Sequence, residues 1–137
     1  MTKAFLCVTL TFLLTACNSS QHTNCSKFKS GKFSYLSNKS GNDYIIERND
    51  STQIERNLNT GSITTLKIIW TSECEYELTY LSRQSSPTDT LITLSTRSIL
   101  KTKIIEVGSD FYIYSSQAVG MTQILTDTLK IFSPKSL

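Results

Sequence analysis

From residue 31 onward, apolar and polar residues alternate with a period of two, interrupted by short clusters of Gly, Asn, Ser and Asp. A strand points successive side chains to opposite faces, so this period predicts half-buried β-strands. Residues 32–37 form the first, with Phe33 and Tyr35 on one face, and the cluster at 37–42 predicts a turn. Residues 43–49 follow, with Tyr44 and Ile46 on one side, then a turn at 49–51 and a strand at 53–58. After a third turn at 59–62, residues 63–71 place Leu66, Ile68 and Trp70 on one face. The clearest alternation is at 75–81, where Tyr76, Leu78 and Tyr80 oppose Glu75, Glu77 and Thr79. Residues 83–89 read as a loop, and 90–107 is too long for one typical strand, so it predicts two strands or one with a bulge. Strands at 111–115, 121–125 and 128–132 close the pattern. No stretch carries a 3.6-residue apolar stripe bounded by helix caps. The sum is an all-β fold of about eight short antiparallel strands, in a small barrel or strongly curved sheet, with a sandwich as the alternative.

The tetrapeptide Ile-Glu-Arg-Asn occurs twice, at 46–49 and 54–57, on either side of a turn. This echo predicts a hairpin with opposite charges paired across it.

The first sixteen residues break the pattern. Lys3 precedes an apolar run over 4–14 interrupted only by Thr9 and Thr11. The run is shorter than the ~20 residues of a bilayer-spanning helix and fits the core of a secretory signal. It ends in Leu14-Thr15-Ala16-Cys17, which resembles the bacterial lipobox. That resemblance implies cleavage before Cys17 and lipid attachment to its thiol. The alternative is an ordinary secretory signal with a coincidental cysteine. The organisation expected is a signal peptide at 1–16, a lipid-anchored tether at 17–30, a β domain at 31–133 and a tail at 134–137.

Export changes the reading of the remaining cysteines. Cys7 is discarded with the signal, leaving Cys25 and Cys74 in a compartment that permits disulfides. A Cys25–Cys74 bridge is the natural pairing, and two reduced thiols are the alternative.

The set Cys25, Phe28, Gly31-Lys32-Phe33, Ile45-Ile46-Glu47-Arg48-Asn49, Gln53-Ile54-Glu55, Ile68-Ile69-Trp70 and Cys74-Glu75-Tyr76-Glu77-Leu78 resembles a group of small lipoproteins from Bacteroidota. The likeness covers about 25–80 and implies no activity. It does imply a location: an anchored envelope protein, facing the periplasm because Asn18-Ser19-Ser20-Gln21 holds no acidic residue. The Gly31-Lys32-Phe33 start after a short tether is also similar to lipocalin-like proteins, which implies a barrel around a small apolar ligand.

Composition narrows the chemistry. Fourteen Lys and Arg against eleven Asp and Glu are scattered without a basic stripe, so a nucleic-acid surface has no electrostatic basis. His22, the single histidine, lies in the expected tether, where it cannot be held against a catalytic partner or a metal. Glu73, Glu75 and Glu77 recur at every second residue and could offer oxygens to Ca²⁺, but the same spacing describes a solvated strand face. No glycine-rich phosphate loop is present. We therefore expect no catalytic residues, no metal and no cofactor. The aromatic residues Phe33, Tyr35, Tyr44, Trp70, Tyr76, Tyr80, Tyr112 and Tyr114 remain. They form either an ordinary core or, led by Trp70, Tyr76, Tyr80, Phe33 and Tyr35, a pocket. The partners expected are the membrane through Cys17 and either a small apolar ligand or an envelope protein.

Overall fold

The structure, a computed structural model, describes residues 24–36, 43–85 and 98–134. Its eight strands are β1 (Gly31–Tyr35), β2 (Tyr44–Arg48), β3 (Thr52–Asn57), β4 (Ile63–Trp70), β5 (Glu75–Gln84), β6 (Ile99–Val107), β7 (Phe111–Ala118) and β8 (Ile124–Ile131). Each pairs antiparallel with the next, and β8 returns to β1, so the sheet closes into the expected barrel. The closing seam is narrow. Phe33 faces Ile131, Ser34 faces Lys130, and the Phe132 N–H donates to the Lys32 carbonyl at 2.9 Å.

Two register shifts bend the wall. Leu81 is the extra residue on β5 opposite the Thr65/Leu66 step, and Ile105 is the extra residue on β6. Both project outward, 54% and 51% exposed, which explains two large apolar side chains in water. Each bulge resets the alternation. Tyr76, Leu78 and Tyr80 face inward and then Arg83 does, and Ile104 is followed inward by Val107. The bulge within 90–107 is thus present on β6, and the start of that stretch lies outside the described residues.

Two sequence expectations need correction. The closing strands at 121–125 and 128–132 are one strand, β8, because Asp127 is no break: its Oδ2 accepts the Tyr35 hydroxyl at 2.7 Å inside the barrel. The Ile-Glu-Arg-Asn echo does form a hairpin, but its charges do not pair across it. Ile46 faces Glu55 and Arg48 faces Gln53, so the two copies present opposite faces. Glu47 is outside and Glu55 inside, whereas Arg48 is inside and Arg56 outside. Register is set by the turn, and a one-residue offset exchanges the faces. The Asn49 carboxamide fixes that turn by accepting the Ser51 and Thr52 N–H groups at 3.0 and 2.8 Å.

One end of the barrel is plugged. A single 3-10 turn, Ser26–Phe28, lies across it, and the expected Cys25–Cys74 disulfide ties this turn to the segment before β5. Cys25 and Phe28 have no exposed surface. The packed body therefore includes Asn24–Ser30, residues the sequence assigned to the tether. Gly31, with φ of +129°, turns the chain from the plug into β1, a conformation that L side chains rarely adopt. Cys17, His22 and the rest of 1–23 lie outside the described residues.

The core gathers at the plugged end, where Phe28, Phe33, Ile46, Ile68, Tyr76, Leu78, Ile104, Tyr112 and Leu129 are all buried. Burying each large side chain contributes about 1.5–3 kcal/mol. Outside, ion pairs cross the strands: Lys32–Glu47 at 3.0 Å, Lys103–Glu75 at 3.2 Å and Lys101–Glu77 at 3.6 Å. A charged outer wall suits a barrel standing in water, whereas a membrane-spanning barrel turns an apolar band outward. Among the described residues no helix is long and apolar enough to cross a membrane.

Candidate functional site

The interior is polar to an unusual degree, and it divides into two halves. In the plugged half the centre is Arg48, on the inward face of β2 and 5% exposed. Its Nε and Nη2 donate to the Gln53 Oε1 at 2.8 and 2.6 Å, and its Nη1 donates to the Phe28 carbonyl at 2.9 Å. Nη2 also reaches the hydroxyls of Tyr112 at 3.1 Å and Tyr76 at 3.3 Å. The rings of Tyr76, Phe33, Trp70 and Tyr112 surround the guanidinium, with centroids 4.7–6.0 Å from its carbon. A weakly hydrated planar cation suits such an aromatic cage. Burial works against its charge, but Tyr76 and Tyr112 more than offset that, and the pKa of Arg48 lies above its ordinary value. This half is full: it holds the plug and the hairpin together.

Gln53 joins the two halves. Its Nε2 donates to the Glu55 Oε1 at 2.7 Å while its Oε1 receives Arg48. Glu55 is on the inward face of β3, yet it is only half-buried. Burial pushes its carboxyl up, against the opposing pull of Gln53, Arg48 and Arg83. Among the described residues, Glu55 Oε2 has no hydrogen-bond partner.

Beyond Glu55, in the half away from the plug, the inward positions keep accessible surface. Tyr35, Tyr44, Leu66, Tyr80, Leu100, Tyr114 and Asp127 are each half-buried although they face the barrel axis. Among the described residues, it is the inward groups of this half that keep accessible surface. The hydroxyls of Tyr44, Tyr80 and Tyr114 bond to no described residue. Burial, followed by the nearby Asp127, raises the pKa of Tyr114, and burial raises that of Tyr112 as well. Both hydroxyls stay protonated at neutral pH and can donate. Among the described residues, the Nδ2 of Asn57, fully buried on the same inward face of β3, and the Nε1 of Trp70, in the plugged half, have no hydrogen-bond partner. Arg83 reaches the Thr64 and Ser62 hydroxyls at 3.5 and 3.4 Å.

A depression of about 500 Å³ lies across β5, β6 and β7, lined by Glu75, Glu77, Lys101, Lys103 and Gln117 among others. Its charged groups already pair with one another. The interior, with its unpartnered carboxylate oxygen and hydroxyls, is the better candidate. The same pairs account for Glu75 and Glu77 as a solvated face.

The five residues expected to line a pocket are split between the halves. Phe33 and Tyr76 are buried in the packed core and Trp70 packs against it, so these three hold the plugged end. Tyr35 and Tyr80 belong to the accessible half. Sequence reasoning missed Arg48, Gln53, Glu55, Asn57 and Asp127 as interior groups. The alternation of Gln53, Glu55 and Asn57 was available as a signal, but it reads as an outer face until the register is known. No family model, no curated protein and no solved structure matches this chain.

Proposed function

We propose that this chain is a lipid-anchored protein of the bacterial envelope whose barrel holds a small amphipathic ligand in the half away from the plug, without catalysis. The observation that carries the ligand reading is Glu55: a half-buried carboxylate on the inward face of the barrel with one oxygen held by Gln53 and the other without a hydrogen-bond partner among the described residues. A half-desolvated carboxylate left so is costly unless a ligand or water completes it. The anchor rests on the Leu14-Thr15-Ala16-Cys17 sequence, and stable attachment requires more than one acyl chain. The test is native mass spectrometry of the exported chain, purified gently. A co-purifying small molecule supports the ligand reading, and an empty monomer from several preparations opposes it. For the anchor, Cys17→Ser is expected to abolish palmitate labelling and membrane fractionation.

A second reading has one observation in its favour. The β7–β8 connection and the start of β8 carry Val119, Met121, Ile124 and Leu125, each more than half exposed. Apolar side chains exposed at one end of the barrel suit contact with an envelope protein.

A further inference from the structure

We infer that the exposed apolar side chains at the end of the barrel opposite the plug dock a protein lying across the aqueous space from the anchoring membrane, and not that membrane itself. The inference rests on the anchor and the protein-contact reading, and it names the partner's position and chemistry.

The point of attachment is the first argument. The packed body begins at Asn24, next to Cys25, whose disulfide fixes it to the plugged end. Seven residue steps separate Asn24 from Cys17, and at about 3.3–3.6 Å each they span at most about 25 Å. Roughly 5–8 Å of that length is used in crossing the lipid headgroups. The plug is therefore held close to the bilayer that takes the lipid.

The course of β7 is the second. It starts beside the plug, where Lys27 Nζ donates to the Gly108 and Ser109 carbonyls at 2.7 and 3.0 Å. Its eight residues cover about 26 Å of strand, or about 20 Å along the axis at the usual barrel tilt. Val119, Met121, Ile124 and Leu125 follow at the far end, each more than half exposed. To enter the bilayer with them the barrel must invert, which lifts Asn24 by about 20 Å and draws the tether almost straight. A chain drawn straight gives up its conformational freedom.

The remaining occupants are the third. A second copy in the same leaflet points its own far end the same way, so two copies do not meet end to end. Residues 111–126 carry no charged side chain. The partner needs no countercharge there, and its matching surface is apolar.

The experiment has two readouts on the lipidated full chain. In phosphatidylcholine vesicles carrying a rhodamine lipid, a donor dye on Asp50→Cys, in the turn beside the plug, is expected to transfer more energy to the membrane than one on Thr122→Cys. In cells, the photocrosslinker p-benzoylphenylalanine at position 121 is expected to give a discrete protein adduct, lost with Val119→Asp and with Ile124→Asp. Two variants guard against one that fails to fold, which circular dichroism detects. If Thr122→Cys transfers as much energy or more, the inference falls while the contact reading stands. Adducts to lipid or to a second copy overturn it as well. No adduct, or a protein adduct that survives both folded variants, overturns the inference and the contact reading together. A chain that does not float with the vesicles removes the anchor and the inference with it.

Discussion

Arg48 and Gln53 face each other across the β2–β3 hairpin, and two N–H groups of the one converge on a single oxygen of the other at 2.8 and 2.6 Å. The turn at Asn49 sets the register that brings this pair, and with it the Arg48 charge, inside the barrel. Once Arg48 points inward, the register puts Gln53 and Glu55 inward as well, and the interior becomes a relay from the plug to the accessible half.

Removing the guanidinium should therefore cost more than removing a surface charge. Arg48→Met leaves the Gln53 Oε1, the Phe28 carbonyl and two tyrosine hydroxyls without their donor. We expect a loss of about 3 kcal/mol, the range for breaking a buried, hydrogen-bonded charge. Arg48→Lys should recover only part of it, since an ammonium cannot reproduce the planar fork. Urea unfolding followed by tryptophan fluorescence measures both.

Phe28 is the plug's apolar anchor, wholly buried with its ring 4.8 Å from that of Tyr112. Phe28→Ala should cost about 3–5 kcal/mol through lost burial and the cavity left behind. Calorimetry of the variant beside the parent protein measures it.

The disulfide joins cysteines 49 positions apart and holds the plug from its other side. Loops of this length correspond to about 4 kcal/mol on the chain-entropy account. Reduction by dithiothreitol, or the paired change of Cys25 and Cys74 to Ser, should lower the urea midpoint accordingly. Protease should then cut near Lys27 and Lys29 before it cuts the barrel.

Glu55 gives a pH dependence of defined sign. Burial raises its folded-state pKa above the ordinary carboxylate value, so the folded state binds this proton more tightly than the unfolded chain does. Its contribution to stability is fully present below the unfolded pKa and is lost as pH rises through the folded pKa. Glu55→Gln should flatten that decline and be more stable than the parent at neutral pH. Urea midpoints at a series of pH values for both proteins test this.

Period-two alternation disclosed the fold class because each strand has one apolar face: Tyr76, Leu78 and Tyr80 needed no tertiary information to be read. The disulfide was legible from the elimination of Cys7 and Cys17. The interior polar groups were not. Identical tetrapeptides turn opposite faces to the axis, and only the turn at Asn49 decides between Arg48 and Arg56, or between Glu47 and Glu55. Asp127 was hidden for a related reason, since a carboxylate in mid-strand reads as a break until Tyr35 is seen across the seam. The plug escaped because its 3-10 turn is polar in sequence apart from Cys25 and Phe28.

The claim on which the rest depends is that the half away from the plug is accessible and takes the ligand while the plugged half is closed. The six tyrosines report on it directly. With fluorotyrosine incorporated, each gives one ¹⁹F resonance, assigned by single Tyr→Phe changes. Tyr44, Tyr80 and Tyr114 should broaden with a soluble paramagnetic chelate and shift when the co-purifying small molecule is removed, while Tyr112 does neither. Shifts at Tyr112 and Tyr76 with Tyr44, Tyr80 and Tyr114 unmoved would contradict the account.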